Sequence, residues 1–300
     1  MVNVAVLMST YNGEKYLLEQ VDSILNQQGV NVFLYVRDDG STDTTCELLR
    51  KIEKKNKNVF VKYGLNQGAP LSFMQLIKDI NIVADYYALS DQDDIWMPEK
   101  LVRAVQLLSQ NGQYDLYASN QTVVDSNNNV IGMRFVDNPP TDLLNIIDKN
   151  YLSGCTMVMK ERLLLRIKES IPNSALVNSR MHDTWLIAVA ACLGRVIYDS
   201  SSYINYRQHE NNVVGIRKIG LRKKLCSKLK SQNINYHKCF ADELLKLFGQ
   251  EINQDSKNII MLYHNSDSIN GKIRLIMSPL FESLYFRNKI LFALKMLLFE

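Results

Sequence analysis

Residues 2–13 read VNVAVLMSTYNG, a continuous apolar run that ends in a polar cluster. A run without polar alternation predicts a strand that is buried on both faces, here residues 2–8. The next segment, residues 14–27, places its apolar side chains on one face of a helix. A buried strand followed by an amphipathic helix is the repeating unit of a parallel α/β sheet.

The same alternation continues to about residue 120. Further strands are predicted at 32–36, 59–63, 86–89 and 114–118, and further helices at 44–54, at 71–80 and after Pro98. Thr44 and Glu47 have the spacing of a capping box at the start of one of these helices. We therefore predict an α/β fold with a mostly parallel, Rossmann-like sheet and helices on both of its faces.

The rest of the chain is less regular. The patterns predict a turn at 127–129, helices at 143–147 and 182–193, and strands at 151–159, 195–199 and 203–206. Residues 216–230 carry many lysines and arginines and no acidic residue. We place a domain boundary near residue 215, so that 1–215 form the main domain and 216–300 a basic, amphipathic helical appendage.

The composition excludes several classes of protein. The 300 residues are 46% hydrophobic and 22% charged, as in soluble globular proteins. A net charge of only +4 argues against nucleic acid as a partner. Five cysteines, with no CxxC pair, predict reduced thiols in a cytoplasmic setting. The sequence predicts neither a signal peptide nor a transmembrane helix.

Each of the first four predicted strands ends in a polar cluster. The clusters are STYNG at 9–13, RDDGSTD at 37–43, GLNQG at 64–68 and SDQDD at 90–94. Because ligands bind at the carboxyl ends of strands in open α/β sheets, we expect these clusters to converge on one site. The alternative is four separate turns and helix caps, since Asp, Asn, Gly and Ser are common turn residues.

The last of these clusters contains Asp91, Asp93 and Asp94. Carboxylate oxygens are the ligands that hard cations such as Mg²⁺ and Mn²⁺ prefer. Three carboxylates at one strand end repel one another unless a cation or a proton intervenes. The alternative is an acidic helix N-terminus ahead of Pro98. The sequence contains no P-loop, dinucleotide, zinc-protease or nucleophile-elbow motif.

Two later clusters also carry candidate chemistry, MHDTW at 181–185 and YRQHENN at 206–212. Asp183 lies beside apolar side chains, which raise the pKa of a carboxyl and suit a general base. Alternatively, Asp183 only caps the helix while Trp185 packs in the core. His209, at a strand end, is a candidate metal or diphosphate ligand, and the alternative is a surface turn.

Taken in order, these clusters resemble the family 2 glycosyltransferases, which have the GT-A fold. The matching motifs are STYNGE at 9–14, DDGSTD at 38–43, NQG at 66–68, DQDD at 91–94, SGC at 153–155, HDTW at 182–185 and RQH at 207–209. The match spans about residues 2–215, and the set is specific as a combination. The SDQDDIW and HDTW motifs are most similar to those of bacterial rhamnosyltransferases that build cell-wall or capsular polysaccharide.

The resemblance implies a role for each matching residue. The nucleotide-binding residues would be Thr10, Tyr11, Asn12, Glu14, Asp39, Gly68 and Asp91. Among them, Asp39 would accept the N3–H of uracil or thymine, and Asp91 would lie near the ribose or sugar of the donor. Asp93 and His209 would bind Mg²⁺ or Mn²⁺, and Asp183 would be the catalytic base.

The implied activity is an inverting, metal-dependent glycosyl transfer. The donor would be dTDP-rhamnose, and the acceptor a hydroxyl of a growing, lipid-linked bacterial polysaccharide. One base suffices for such a transfer, whereas sugar hydrolases use two carboxylates. Three alternatives stay open: a UDP-hexose donor in the same family, a nucleotidyltransferase, and a non-catalytic sugar-nucleotide-binding assembly subunit.

The appendage at 216–300 has two interpretations of its own. Its basic and apolar composition predicts peripheral contact with the anionic inner face of the cell membrane, where a lipid-linked acceptor would lie. Alternatively, its helices pack on the main domain or on a partner protein.

Overall fold

The structure, a computed structural model, describes residues 1–209 and 236–284, together with Lys289 and Ala293. Its strands are β1 (Val2–Thr10), β2 (Val30–Asp38), β3 (Val59–Tyr63), β4 (Tyr86–Ser90), β5 (Ile95–Trp96), β6 (Tyr114–Val124), β7 (Val130–Met133), β8 (Val158–Lys160) and β9 (Arg195–Arg207). Its helices are α1 (Leu17–Leu25), α2 (Thr45–Lys55), α3 (Ala69–Asp79), α4 (Lys100–Gln110), α5 (Leu143–Asp148), α6 (Glu161–Glu169), α7 (Ser174–Arg180), α8 (His182–Leu193), α9 (Tyr236–Phe248), α10 (Gln254–His264) and α11 (Ile269–Ile276). The basic run at 216–230 and the predicted boundary near 215 lie outside the described residues.

The strands form one mixed sheet in the order β3-β2-β1-β4-β8-β6-β9-β5, with β7 paired to β6. The first four strands of that order are parallel to one another. Strand β8 runs antiparallel to β4 and β6, and β6 and β9 are again parallel. The carboxyl ends of β1 to β4 therefore lie along one edge of the sheet.

Strand β1 shows why the apolar run is continuous. Ala5 and Leu7 pack in a buried cluster that includes side chains of α3 and α8. Val4, Val6 and Met8 pack in a second cluster, with side chains of α1 and α4. Because successive side chains of a strand point to opposite faces, both faces of β1 are covered by helices. The predicted α/β fold is confirmed.

The strand predicted at 151–159 is wrong over most of its length. Residues Gly154–Thr156 form a 3₁₀ turn, and the strand comprises only Val158–Lys160. The turn is closed by the backbone N–H of Met157, which donates to the Gly154 carbonyl at 2.8 Å. The segment is apolar because the turn is buried, and burial alone does not distinguish a turn from a strand.

The two strands predicted at 195–199 and 203–206 are one strand, β9. Its pairing with β6 shifts register in the middle, where Ser119 is opposite Asp199 and Asn120 is opposite Ser202. The shift is a bulge in the strand. Its three serines interrupt the apolar pattern, which explains why the sequence reads as two elements.

The described part of the C-terminal region is helical, and its first two helices pack on α8. The rings of Phe240 and Phe248 in α9 lie 5.4 and 6.2 Å from the ring of Trp185 in α8. Ile260 of α10 belongs to the same buried cluster. Among the helices of the described residues, none combines the length and the hydropathy needed to span a bilayer.

Candidate active site

A cavity of about 610 Å³ lies at the carboxyl edge of the parallel strands. The four polar clusters that follow β1 to β4 all contribute to its lining, so the predicted convergence is confirmed. The residues from these clusters are Ser9, Tyr11, Asp39, Asn66, Gly68, Asp91, Gln92 and Asp93. The second half of the chain adds Arg134, Tyr206, residues 150–154 and residues 181–184.

Two of the predicted nucleotide-binding residues join loops and do not line the cavity. The Asn12 side chain, at a backbone φ of 48°, accepts a hydrogen bond from the Thr42 N–H at 2.8 Å. The Glu14 carboxylate accepts from the Thr44 N–H at 3.0 Å and from its hydroxyl at 2.6 Å. The predicted capping box of Thr44 with Glu47 is therefore wrong, because the Thr44 side chain bonds to Glu14. These contacts fix the loop after β1 against the loop after β2.

Thr10 is also buried beneath the cavity wall. Its hydroxyl donates to Oε1 of Gln92 at 2.5 Å, and the Tyr11 N–H donates to the same oxygen at 2.9 Å. The Gln92 side-chain amide donates in turn to the Tyr11 carbonyl at 3.0 Å. Tyr11 itself lines the cavity at its open side, with 45% of its surface exposed. The sequence motifs assign no role to Gln92. The only feature that points to it in the sequence is its position between Asp91 and Asp93.

Asp39 is a buried carboxylate at the end of β2 that faces the cavity. It is ion-paired with the buried guanidinium of Arg37. It also accepts hydrogen bonds from the backbone N–H groups of Gln67, at 3.2 Å, and Gly68, at 2.9 Å. Gly68 has a φ of 85°, a conformation that favours glycine. Arg37 and the two amides therefore hold the carboxylate in a fixed position at the end of β2.

The acidic cluster after β4 divides into two parts. Asp91 lines the cavity, and its burial, together with the charges of Asp93 and Asp183, raises its pKa to about 7. Asp94 is fully buried and accepts a hydrogen bond from the Arg207 N–H at 3.1 Å. Asp94 therefore ties the loop to β9, whereas Asp91 belongs to the site.

The two predicted metal ligands, Asp93 and His209, are in contact. The Asp93 Oδ2 lies 2.7 Å from the His209 Nε2, and Asp93 lines the same cavity as Asp91. Among the described residues, Asp91, Asp94 and Cys155 also place ligand atoms within 4.8 Å of one another. Thiols suit softer metals, and burial raises the pKa of the Cys155 thiol. The donor set fits a hard cation at Asp93 better than at Cys155.

Asp183 lies in the first turn of α8 and faces the cavity. Burial raises the pKa of its carboxyl to about 6, although hydrogen bonds from the backbone N–H groups of Thr184 and Gly154 oppose that shift. The N-cap of α8 is Met181, so Asp183 is not the capping residue. Trp185 is buried in the core, as the sequence predicted.

Sequence reasoning missed Arg134, which follows β7. Its guanidinium donates to the side chains of Gln121, at 2.8 Å, and Ser153, at 2.6 Å. It lines the cavity, and its charge lowers the pKa of Asp183. Its partners are distant in sequence, so no local spacing marks it.

Comparison with known proteins agrees with this geometry. The family model described as Glycosyl transferase family 2 matches residues 5–164. The chain is 32% identical over 227 residues to the dTDP-rhamnosyl transferase RfbG of Shigella flexneri, covering 69% of this chain and 73% of that protein. It is 29% identical over 163 residues to the Escherichia coli UDP-Glc:alpha-D-GlcNAc-diphosphoundecaprenol beta-1,3-glucosyltransferase WfgD, covering 54% and 61%. The chain belongs to glycosyl transferase family 2.

Solved structures show the same fold. S. aureus TarS 1-349 in complex with UDP-GlcNAc matches with a TM-score of 0.60 at 19% identity, over 98% of this chain and 81% of that chain. The same protein in complex with UDP matches with a TM-score of 0.58 at 18% identity, over 98% and 79%. The protein is a glycosyltransferase with the GT-A fold, and the family predicted from the motifs is confirmed.

Proposed function

We propose that the protein transfers a sugar, with inversion, from a nucleoside diphosphate donor to a hydroxyl of a growing bacterial surface polysaccharide. The observation that carries the proposal is that Asp39, Asp91, Asp93 and Asp183 face one cavity. The names of the two relatives point the same way: one specifies a dTDP-rhamnosyl group, and the other specifies UDP-Glc and a diphosphoundecaprenol acceptor.

Asp39 is the proposed base-recognition residue. A carboxylate offers about four acceptor positions. Among the described residues, three groups donate to it: Arg37 and the N–H groups of Gln67 and Gly68. The remaining position suits the N3–H of uracil or thymine, whereas cytosine presents an acceptor there. Tyr11 would lie against the nucleotide, and Thr10, Asn12 and Glu14 would hold the loops that form its site.

Asp183 is the proposed catalytic base. In the reaction, its carboxylate takes the proton of the acceptor hydroxyl, and the hydroxyl oxygen bonds to the anomeric carbon. The bond from that carbon to the diphosphate breaks on the opposite face, and the nucleoside diphosphate leaves with the electron pair. A base with a pKa of about 6 is ionised at neutral pH and still accepts a proton readily.

Asp93 and His209 would hold Mg²⁺ or Mn²⁺, and the neighbouring Asp91 would lie near the ribose or sugar of the donor. When bound, such a cation stabilises the negative charge of a diphosphate leaving group. Arg134 lines the same cavity, so its guanidinium would add a positive charge to that of the bound cation.

We propose dTDP-rhamnose as the donor, because the 32% identity to a dTDP-rhamnosyl transferase extends over 69% of this chain. A UDP-hexose is the second candidate donor, since the relative WfgD is named as a UDP-Glc-dependent glucosyltransferase. The test is the release of nucleoside diphosphate from a panel of dTDP-, UDP- and GDP-sugars, with and without EDTA. Release from dTDP-rhamnose that EDTA abolishes is the expected result. Release from a UDP-sugar alone would show that the donor is a UDP-hexose, and binding without release from every donor would overturn the proposed transfer.

We also propose that the C-terminal region lies on the anionic inner face of the membrane, close to a lipid-linked acceptor. The support is the exposed face of helix α11: Ile269 and Ile273 in the helix and Met277 at its C-cap are 72%, 42% and 79% exposed. The basic side chain of Arg274 is exposed beside them. An apolar stripe flanked by a basic side chain is typical of helices that bind anionic lipid.

Pelleting with phosphatidylglycerol vesicles tests the membrane proposal. Ile273→Glu is expected to weaken binding, because it places a negative charge within the apolar stripe. Val136→Glu is the matched control, since Val136 is 97% exposed and lies far from α11 in the sequence. Equal binding to phosphatidylcholine and phosphatidylglycerol, or no effect of Ile273→Glu, would contradict it.

A further inference from the structure

His182 is a buried polar side chain whose ring nitrogens meet no hydrogen-bond partner in the part of the chain that the structure describes. It lines the cavity directly beside Asp183, and only 5% of its surface is exposed. Neither ring nitrogen has a hydrogen-bond partner among the described residues. Buried polar atoms in native proteins are almost always paired, so two unpaired nitrogens in a ligand cavity need an explanation.

The surroundings fix the imidazole in place. Its ring stacks on Phe73, with the centroids 4.1 Å apart and the planes inclined by 18°. On another side it meets Gly154, where an added Cβ would lie 3.0 Å from the His182 Nε2. A larger residue at Gly154 would crowd the ring. The ring therefore has a defined position, held by apolar and steric contacts and not by hydrogen bonds.

The backbone before His182 is strained. Met181 has a φ of 69° and a ψ of 153°, a combination that L-residues rarely adopt. Such conformations are concentrated at functional sites, where the surrounding structure holds them. Met181 also lines the cavity, so the strained residue lies immediately before His182 and Asp183 in the chain and in the same site.

We propose that His182 is a sugar-binding residue, whose imidazole hydrogen-bonds to a hydroxyl of the sugar in the cavity and holds that sugar against Asp183. The proposal rests on the glycosyl transfer proposed above. It assigns the residue to sugar recognition and not to the nucleotide or the diphosphate.

The chemistry of the ring selects hydroxyl groups. Burial lowers the pKa of His182 to about 3, so the imidazole is neutral near pH 7. A neutral imidazole has one N–H donor and one acceptor nitrogen, and a hydroxyl can satisfy either. It has no charge with which to attract a phosphate. It also cannot replace Asp183 as the base, because an imidazole that resists protonation is a poor proton acceptor.

Two variants separate hydrogen bonding from shape. His182→Phe keeps a ring on Phe73 and removes both nitrogens, whereas His182→Asn keeps a donor and an acceptor. The measurements are kcat/KM for donor hydrolysis without acceptor, KM for the acceptor during transfer, and the affinity for the free nucleoside diphosphate. Thermal unfolding shows whether each variant is folded.

We expect His182→Phe to lower kcat/KM by about tenfold or more, because the sugar hydroxyl loses its partner. His182→Asn should recover part of that loss, and the affinity for the nucleoside diphosphate, which lacks the transferred sugar, should stay unchanged in both variants. A loss in donor hydrolysis assigns the hydroxyl to the donor. A change confined to the acceptor KM assigns it to the acceptor.

A donor lacking one hydroxyl gives an independent test with the unaltered protein. The wild type should discriminate against one such deoxy donor or deoxy acceptor by about tenfold, and His182→Phe should not. Wild-type values of both the donor kcat/KM and the acceptor KM in folded His182→Phe, or an equal loss of nucleoside diphosphate affinity, would overturn the sugar-binding role alone. A wild type that releases no nucleoside diphosphate from any donor would overturn the proposed function and this inference with it.

Discussion

Asp39 and Asp183 face the same cavity from two regions that are built differently. Asp39 follows β2 and is held by an arginine and two backbone amides. Asp183 follows a strained residue and lies beside an imidazole without a partner among the described residues. Burial raises the pKa of Asp183 to about 6.

This difference in hydrogen bonding indicates that one region binds the ligand and the other carries out the reaction. Polar groups that are already satisfied form a rigid, preorganised surface, which suits recognition of an invariant part such as the nucleotide. Polar groups that are buried and unsatisfied store free energy that a reacting ligand can release. We therefore assign the region around Asp39 to nucleotide recognition and the region around Asp183 to sugar transfer. Each prediction below tests one side of this division.

The largest effect is expected for Asp183→Asn. Removal of the general base should lower kcat by about 10²–10⁴-fold. Because Asp183 lies outside the proposed nucleotide site, the donor KM should change little. Steady-state assays with the donor identified by the panel measure both quantities. Asp137→Asn, at an exposed position, is the control. Retention of most of the wild-type kcat would show that Asp183 is not the base.

Asp39→Ala should lower stability in addition to weakening nucleotide binding. It leaves the buried Arg37 guanidinium without its carboxylate, and breaking a buried pair costs about 3–5 kcal/mol of unfolding free energy. Urea titration measures the loss. The control is Asp79→Asn, which breaks a more exposed pair with Lys62 and should cost less than about 1 kcal/mol. Equal losses in the two variants would contradict the picture of a preorganised region.

The pH dependence of turnover should report Asp183. A general base is active when deprotonated, and burial raises the pKa of this carboxyl to about 6. The turnover number should therefore rise with pH, by about tenfold per unit below that value, and level off above it. Rates measured between about pH 4 and about pH 9 test this, with unfolding monitored in parallel. A profile that is flat through pH 6 would be inconsistent with Asp183 as the base.

Met181→Gly should have the smallest effect, and it should stabilise the protein, whereas Asp39→Ala destabilises it. Relief of a backbone conformation at φ 69° should raise the unfolding free energy by about 1 kcal/mol, after the entropic cost of glycine. Calorimetric unfolding measures the change. Asn128→Gly is the control, because Asn128 also has a positive φ, of 66°, but asparagine tolerates it well. A destabilised Met181→Gly protein would mean that no strain is stored there.

The sequence predicted the region around Asp39 better than the region around Asp183. The strand ends are readable because an apolar run and a polar cluster follow each other along the chain, and parallel strands bring such clusters together. The bounds of the apolar helix His182–Leu193 were also predicted. In the second region, the strand predicted at 151–159 failed because a buried turn is as apolar as a strand.

Interactions over long sequence distances explain the remaining errors. Thr44 has capping-box spacing with Glu47, but its hydroxyl bonds to Glu14, which precedes it by 30 residues. Arg134 bonds to Ser153, and neither residue belongs to a local motif. Spacing rules describe neighbours along a helix or a strand, so they give no information on partners that only the tertiary fold brings together.

The division between the two regions is tested most directly by calorimetric titration of UDP, dTDP and CDP into the wild type and into Asp183→Asn. If Asp39 accepts the N3–H of the base, UDP or dTDP should bind about tenfold or more tightly than CDP, because cytosine leaves the carboxylate facing another acceptor. That preference and the affinity itself should be the same in Asp183→Asn. Equal binding of CDP, or loss of UDP and dTDP binding in Asp183→Asn, would contradict the assignment of recognition to one region and reaction to the other.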